Sequence, residues 1–253
     1  MIKVRDINKV KVGVIIQARM GSTRLYGKVM KILGDKPVLW HVVERVKRAK
    51  LVDTIIIATT ETKNKEIVKF CVENNILCFC GSEENVLDRY YNAAKKYELD
   101  AIVRVTSDCP LIDPLVIDKL IETYLNNRDK YDYISNSISR TYPRGLECSI
   151  FSFYALEESW KKATKPHHKE HVVLYIRENY EKFSSLNIYN ETDLSHLRWT
   201  LDTNEDYVFL TNVFNNLYKS SDIFTTDEVL KLLRDQPDLI KINAHIEQKK
   251  EGE

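Results

Sequence analysis

Short apolar runs alternate with amphipathic stretches along the first half of the chain. VGVIIQA (12–18), TIIIATT (54–60), ILCFC (76–80) and AIVRVTS (101–107) are rich in β-branched residues and almost continuously apolar. That pattern predicts strands buried on both faces. Between and after them, residues 37–49, 63–74, 84–98 and 114–127 place apolar residues at helical spacing. Pro37 and Pro114 fall in the first turns of two of these helices, where a missing N–H is no loss. Strand–helix–strand alternation implies a mostly parallel sheet with right-handed crossovers and helices on both faces. Beyond about residue 130 the alternation loosens. DYISNSI (132–138), LECSIFSF (146–153) and HLRWTLD (196–202) read as strands. YALEESWKKA (154–163), HKEHVVLYIRENYEKF (168–183) and segments near 203–217 and 225–234 read as helices. No repeat, low-complexity linker or sharp boundary interrupts this order. A single domain over residues 1–253 is expected, with 1–11 and 245–253 as loose ends.

Composition narrows the function classes. The 253 residues are 43% hydrophobic, which excludes general disorder. Thirty-eight basic residues face 37 acidic ones, so no global field points to nucleic acid. The run VGVII is far too short to cross a bilayer, and no export signal precedes it. Neither nucleic acid nor a membrane is expected as a partner. The five cysteines lack the spacing of a disulfide framework, which suits reduced thiols in the cytoplasm. Cys78 and Cys80 share one face of a strand and read as buried small hydrophobes.

In open parallel sheets ligands bind outside the carboxyl ends of the strands, so the loops 17–36, 60–63, 81–84 and 106–113 are the places to search. The first holds QARMGSTRLYGK (17–28). It is not a Walker A loop, because Gly21 and Gly27 enclose five residues and Lys28 is followed by Val29. Arg19, Arg24 and Lys28 around Ser22 and Thr23 suit a polyphosphate, with backbone amides near Gly21 able to approach it. The alternative is a solvated basic loop. Asp108, in RVTSDCPLIDP, sits just past a buried strand, as a turn cap or as a ligand for magnesium, which usually takes one or two carboxylates plus substrate phosphates. Asp113 before Pro114 reads as a helix N-cap. Asp202, in LRWTLDTNEDY, precedes a helix that Thr203 or Asn204 can cap, which leaves its carboxylate free. Together Asp108, Asp202 and the basic loop would make a metal–nucleotide site. HHKEH (167–171) matches the inverted zinc-protease pattern through His167, Glu170 and His171. Pro166 puts it at a helix start and no third ligand stands out, so zinc hydrolysis is disfavoured against a polar helix N-terminus, where Glu170 suits the first turn, or a substrate contact. In RTYPRGLECSIFSF, Pro143 and Gly145 mark a turn flanked by Arg144 and Glu147.

VIIQARMGSTRLYGKVM resembles the signature of the cytidylyltransferases that activate sugars, among them the 3-deoxy-manno-octulosonate and acylneuraminate enzymes, whose loop reads Ala-Arg-x-Gly-Ser-x-Arg-Leu-Pro-Gly-Lys. GSEENVLDRYYNAAKKY, RVTSDCPLIDP, YPRGLECSIFSF, KEHVVLYI and LRWTLDTNEDY are similar to the spore-coat polysaccharide biosynthesis protein F group. The likeness runs over about residues 12–210. Tyr26 stands where the family has proline, Cys148 where an apolar residue is usual, Lys169 for arginine and Val173 for threonine.

The resemblance implies a glycosyltransferase-A-like, Rossmann-type α/β fold and magnesium-dependent nucleotidyl transfer in the cytoplasm, with a homodimer as the family habit. It implies CTP as the nucleotide and an acidic or phosphorylated sugar as the acceptor. By the same likeness Arg19 and Lys28 bind the triphosphate, with Ala18, Gly21, Ser22 and Arg24 in the same loop. Asp108 and Asp202 hold Mg2+, Gly81 and Ser82 lie near the nucleoside, and Arg144, Glu147, Glu170 and His171 face the acceptor. Two other functions fit the residues themselves: a glycosyltransferase using a nucleotide-sugar, which would need fewer cations in the loop, and a non-catalytic nucleotide-binding module.

Overall fold

The computed structural model describes residues 10–220 and 222–248. Its strands are β1 (Val12–Gln17), β2 (Ile32–Leu33), β3 (Lys36–Pro37), β4 (Thr54–Thr60), β5 (Leu77–Gly81), β6 (Ala101–Thr106), β7 (Tyr133–Ser135), β8 (Ser149–Ser152) and β9 (Ser185–Asn187). Its helices are α1 (Val38–Lys47), α2 (Lys65–Glu73), α3 (Val86–Lys96), α4 (Pro114–Asn127), α5 (Phe153–Lys162), α6 (Pro166–Glu170), α7 (Leu174–Glu178), α8 (Asn204–Leu217), α9 (Thr226–Asp235) and α10 (Asp238–Lys241). A 3-10 turn covers Lys28–Met30.

Seven strands form one sheet in the order β5-β4-β1-β6-β8-β7-β9. β5, β4, β1 and β6 are mutually parallel, and β8 runs antiparallel to both β6 and β7. From β1 the chain goes outward to β4 and β5 on one side, then returns to β6 on the other. The order therefore reverses at β1, and such a reversal opens a crevice at the carboxyl ends of the strands. β1 earns its central place by composition, because Val12, Val14, Ile15 and Ile16 are all buried. Val14 and Ile16 face one apolar layer with α1 and α4, while Ile15 faces the other with α3 and α5. A third cluster gathers Trp199, Leu201, Phe209, Val213 and Phe214 around α8 and α9. Among the described residues no helix is long and apolar enough to cross a membrane.

The central strands and the helices from α1 to α5, α8 and α9 fall within about two residues of the sequence expectation. Pro37 precedes α1 as its N-cap, and Pro114 opens α4 with Asp113 accepting from the Leu115 amide at 2.8 Å. Several readings need correction. Residues 196–202 form no strand. They run extended, with a single bridge between Arg144 and Arg198, because their partner is a loop rather than a strand. Residues 168–183 are not one helix but α6 and α7 with a break at His171. Val172 and Leu174 are both buried, and residues two apart on a helix point about 200° away from each other, so an unbroken helix would expose one of them. Glu170 consequently ends a helix instead of lying in its first turn. Cys80 is exposed and Cys78 only half-buried, since β5 is the sheet's edge and has less cover. β9 and α10 carried no sequence signal strong enough to be read. Where loose ends were expected, Lys11 bonds Asp100 and Tyr97, and Gln248 meets Arg198 at 2.9 Å. Residues 1–9 and 249–253 lie outside the described residues.

His41 on α1 shows how the segment at β2 is pinned to the helices. Its imidazole is buried, lies 2.8 Å from the Leu33 carbonyl, and meets the rings of Trp40, Phe214 and Tyr218 edge-on. Burial lowers its pKa to about 4. The folded protein thus holds this ring neutral where the unfolded chain, near 6.5, would take a proton. Stability should fall as pH drops from 6.5 and level off below about 4, by on the order of 3 kcal/mol from this group. Urea denaturation of the wild type and His41→Gln across that range tests this; parallel pH profiles would show that His41 contributes none of the slope.

Candidate nucleotide site

The loop after β1 is folded by its apolar residues and its glycine. Met20, Leu25 and Val29 are buried and anchor it. The Gly27 amide donates to the Met20 carbonyl at 2.9 Å and closes the loop. Gly27 has φ 64°, a left-handed conformation that a side chain would strain. Arg19, Thr23 and Arg24 are left exposed. Tyr26, the position where the family has proline, is 70% exposed and nothing in the structure explains it. Ala18 is buried and bonds Ala58 across the sheet, which places the loop over the carboxyl ends of β1 and β4.

Lys28 reaches inward from this loop. Its ammonium donates to Asp108 Oδ2 at 2.7 Å and to Asp202 Oδ1 at 2.8 Å. Asp108 follows β6, and Asp202 precedes α8, so residues 80 and 174 positions from Lys28 in sequence meet at one nitrogen. The backbone secures the pairing, because the Leu201 amide donates to the Asp108 carbonyl at 2.8 Å. Arg24 adds a contact to Asp202 Oδ1 at 3.0 Å. Burial alone would push the Asp108 carboxyl up, but the charge and hydrogen bond of Lys28 overcome it and hold the group down at about 2. The reverse attraction raises Lys28 above its ordinary value against its own burial. Both Lys28 and Asp108 are therefore charged at neutral pH.

Asp202 is held from behind. Arg198 contacts its Oδ2 at 3.1 Å and forks onto Asp206 through Nε at 2.8 Å and Nη2 at 2.9 Å. Asp206 is fully buried and also accepts from the Asp202 and Thr203 amides and from Asn243. The Thr203 hydroxyl oxygen in turn accepts from the Asp206 amide, completing a capping box at the start of α8. The expected cap at Thr203 is therefore present, and it does leave the Asp202 carboxylate facing the loop. Arg198, Asp206 and Asn243 were not read from the sequence. Asp206 had a signal, the Thr-x-x-Asp spacing of a cap, whereas Arg198 and Asn243 had none.

The acceptor candidates divide. Gly145 has φ 109° and brings its backbone against Trp199 and Thr200, where a Cβ would lie 2.6 Å from the Trp199 carbonyl carbon. That approach sets Arg144 and Glu147 beside residues 198–200. Glu147 pairs with Arg140, and Arg144 lies 3.8 Å from it. Burial and the neighbouring Arg140 lower the Arg144 pKa, and Asp202 is near enough to counter this. Arg140 is an addition to the sequence reading. Glu170 and His171 have no hydrogen bond or ion pair to Lys28, Asp108 or Asp202 among the described residues.

Gly81 and Ser82 stand at the end of β5, across β4 from the basic loop. Ser82 accepts from the Asn85 amide at 3.0 Å, and its carbonyl accepts from Arg89 at 2.8 Å. They line a groove of about 810 Å³ with Glu61, Glu83, Asp88 and Asn92. Lys28, Asp108 and Asp202 do not line it. Gly21 is close by, as a Cβ there would lie 3.7 Å from Glu83. Ser22 turns back within its own loop.

A sequence model of the cytidylyltransferases matches residues 13–212. The chain belongs to the cytidylyltransferase family. This cytidylyltransferase is 32% identical over 232 residues to the spore coat polysaccharide biosynthesis protein SpsF of Bacillus subtilis, covering 88% of this chain and 94% of that one. It is 37% identical over 113 residues to a 3-deoxy-manno-octulosonate cytidylyltransferase of Trichlorobacter lovleyi, covering 45% and 44% of the two chains. A cytidylyltransferase structure from Leptospira borgpetersenii superposes with a TM-score of 0.88 at 34% identity, covering 96% of this chain and all of that one. The CMP:2-keto-3-deoxy-manno-octonic acid synthetase structure, at 17% identity and a TM-score of 0.62 over 81% of this chain and 99% of that one, shares the fold. That fold is glycosyltransferase-A-like, as the sequence resemblance implied.

Breaking the buried Arg198–Asp206 pair should be costly. Asp206→Ala leaves a buried guanidinium and two backbone amides without their acceptor, and should cost about 3–5 kcal/mol. Urea denaturation measures it; a loss below about 1 kcal/mol would mean that the network is dispensable.

Proposed function

We propose that this cytidylyltransferase moves CMP from CTP onto an acidic or phosphorylated sugar and releases pyrophosphate, with Mg2+ held by Asp108 and Asp202. The observation that carries this reading is the meeting of both carboxylates on one cationic nitrogen at the crevice of the sheet. With both oxygens on one nitrogen, the carboxylates stand no farther apart than about 5.5 Å, where like charges repel by roughly 3 kcal/mol at an effective dielectric of about 20. Such a pair requires a cation, and its oxygen donors suit magnesium, which takes one or two carboxylates and completes its shell with substrate phosphates. When bound, the ion supplies charge neutralisation at the reacting phosphates.

The chain's own residues do the rest. Lys28, drawn off the carboxylates, neutralises the β- and γ-phosphates together with Arg19, while Arg24 and the amides near Gly21 and Ser22 hold the polyphosphate in line. Gly81 and Ser82 border the nucleoside, and the groove beside them gives room for it. An acceptor oxygen attacks the α-phosphorus, forming a new P–O bond as the bond to the β-phosphate oxygen breaks. Arg144 and Arg140, paired with Glu147 beside Asp202, favour an acceptor that carries a negative group. Glu170 and His171 complete its contacts. Similarity to the spore coat and octulosonate proteins supports an acidic sugar destined for a surface polysaccharide or glycoconjugate.

A pyrophosphate-release screen of each nucleoside triphosphate against acidic sugars and sugar phosphates tests the proposal. CTP with one such acceptor should give pyrophosphate with Mg2+ present. Asp108→Asn and Asp202→Asn should each lower turnover by a factor of about 100 or more while remaining folded. Failure of every triphosphate, or turnover that survives both substitutions, would overturn it.

A further inference from the structure

Outside the nucleotide loops, His167 and His168 on α6 converge with Glu178, the last residue of α7. The Nε2 atom of His167 lies 3.1 Å from Glu178 Oε1, and Nε2 of His168 lies 2.8 Å from Oε2. One donor atom from each of the three residues lies within 4.8 Å of the others. The imidazole rings meet edge-on with centroids 4.4 Å apart. Among the described residues no other group of three His, Cys, Asp or Glu donors comes this close. The trio differs from the zinc-protease pattern in the sequence: Glu178, on α7 beyond the break at His171, joins His167 and His168, and Glu170 and His171 are not part of it.

We propose that His167, His168 and Glu178 bind a divalent transition-metal ion, zinc above all. Two imidazoles and a carboxylate are the donors that zinc favours, with water free to take the fourth position. Donors on a tetrahedral zinc ion stand roughly 3.3–3.6 Å apart for bonds of about 2.0–2.2 Å. The observed contacts of 3.1 and 2.8 Å are a little shorter than that spacing and no pair of donor atoms exceeds 4.8 Å, so the side chains need only small adjustments. The chemistry also separates this place from Asp108 and Asp202, whose oxygen pair suits a hard ion such as magnesium. Lys165 lies 3.5 Å from Glu178 Oε2 and already offers positive charge there, but it is largely exposed and free to swing away.

Two further observations set what the ion does and how tightly it is held. α6 and α7 are five residues each, too short to be held by their own hydrogen bonds. An ion bridging them fixes the ends of the turn that carries Glu170 and His171. His168 is buried, and its Nδ1 has no hydrogen-bond partner. With the ion on Nε2 the ring proton moves to Nδ1, which has no acceptor. Loss of such an outer partner weakens metal binding by about 10–100-fold. The site is therefore weaker than a closed structural zinc site and exchanges its ion.

The test is calorimetric titration of Zn2+ into the chelator-treated full chain with Mg2+ in excess, followed by the absorption spectrum with Co2+. Wild type should take up one ion per chain. His167→Ala and Glu178→Gln, both at partly exposed positions, should weaken uptake at least tenfold with unchanged circular dichroism. Asp108→Asn combined with Asp202→Asn should leave uptake unaltered. Co2+ should give the intense ligand-field bands of a tetrahedral site in wild type and lose them in the first two variants. No saturable uptake by wild type, uptake that survives His167→Ala and Glu178→Gln within twofold, or uptake abolished by the two Asn substitutions would each overturn the proposal.

Discussion

The crevice at the carboxyl ends of the strands depends on one ammonium group between two carboxylates. Lys28 joins three separate pieces of chain, the loop after β1, the turn after β6 and the segment before α8, at contacts of 2.7 and 2.8 Å. Without Lys28 or another cation, Asp108 and Asp202 would repel each other in a half-buried crevice. The direction of the pKa changes shows which effect wins: burial works against the charge on both Lys28 and Asp108, and their mutual attraction outweighs it. The sheet determines where this happens. The reversal of strand order at β1 leaves an opening at its carboxyl end, and the paired residues sit on the loops that border it.

Asp202 depends on a second layer of the same kind. Arg198 and Asp206 form a pair with little access to solvent, and Asn243 and Gln248 extend it toward the carboxyl terminus. A buried ion pair is a weak source of net stability but a strong source of position, because breaking either half leaves the other unpaired. Here the position matters. Two of the Asp206 hydrogen bonds go to the Asp202 and Thr203 amides, so the same carboxylate that begins α8 also orients the backbone of Asp202.

The sequence was most informative where local chemistry and the final environment agree. The strands β1, β4 and β6 are apolar throughout because both faces are covered, and their ends pointed directly to the loops that hold Lys28 and Asp108. Caps at Asp113 and Thr203 were legible because a cap is made by residues two or three apart. Long-range features were not legible. Arg198 looks like any surface arginine until Asp206, eight residues on, folds beneath it. Residues 196–202 have the alternation of a strand, yet their hydrogen bonds go to Arg144 and Asp108 in loops. The break at His171 follows from which residues are buried, and that depends on α3 and α5 packing above Val172 and Val173. Glu178 joins His167 and His168 only because of that break.

Balance of charge links these parts to the chemistry of the family. Around the crevice Lys28, Arg24, Arg198 and Arg144 stand against Asp108, Asp202, Asp206 and Glu147. Each of these four cations already faces a carboxylate, so this set of eight groups is nearly balanced. A nucleoside triphosphate brings several negative charges into that balance. It can be accommodated only if cations are freed from the carboxylates or added to them. Arg198 is too well enclosed to move, with Asp206 buried beneath it, whereas Lys28 lies at the end of a flexible side chain rooted in a loop. Under the proposed reaction Lys28 is the exchangeable cation and Arg198 the fixed one, so one carboxylate, Asp202, would stay in place while its partner on the loop side changes.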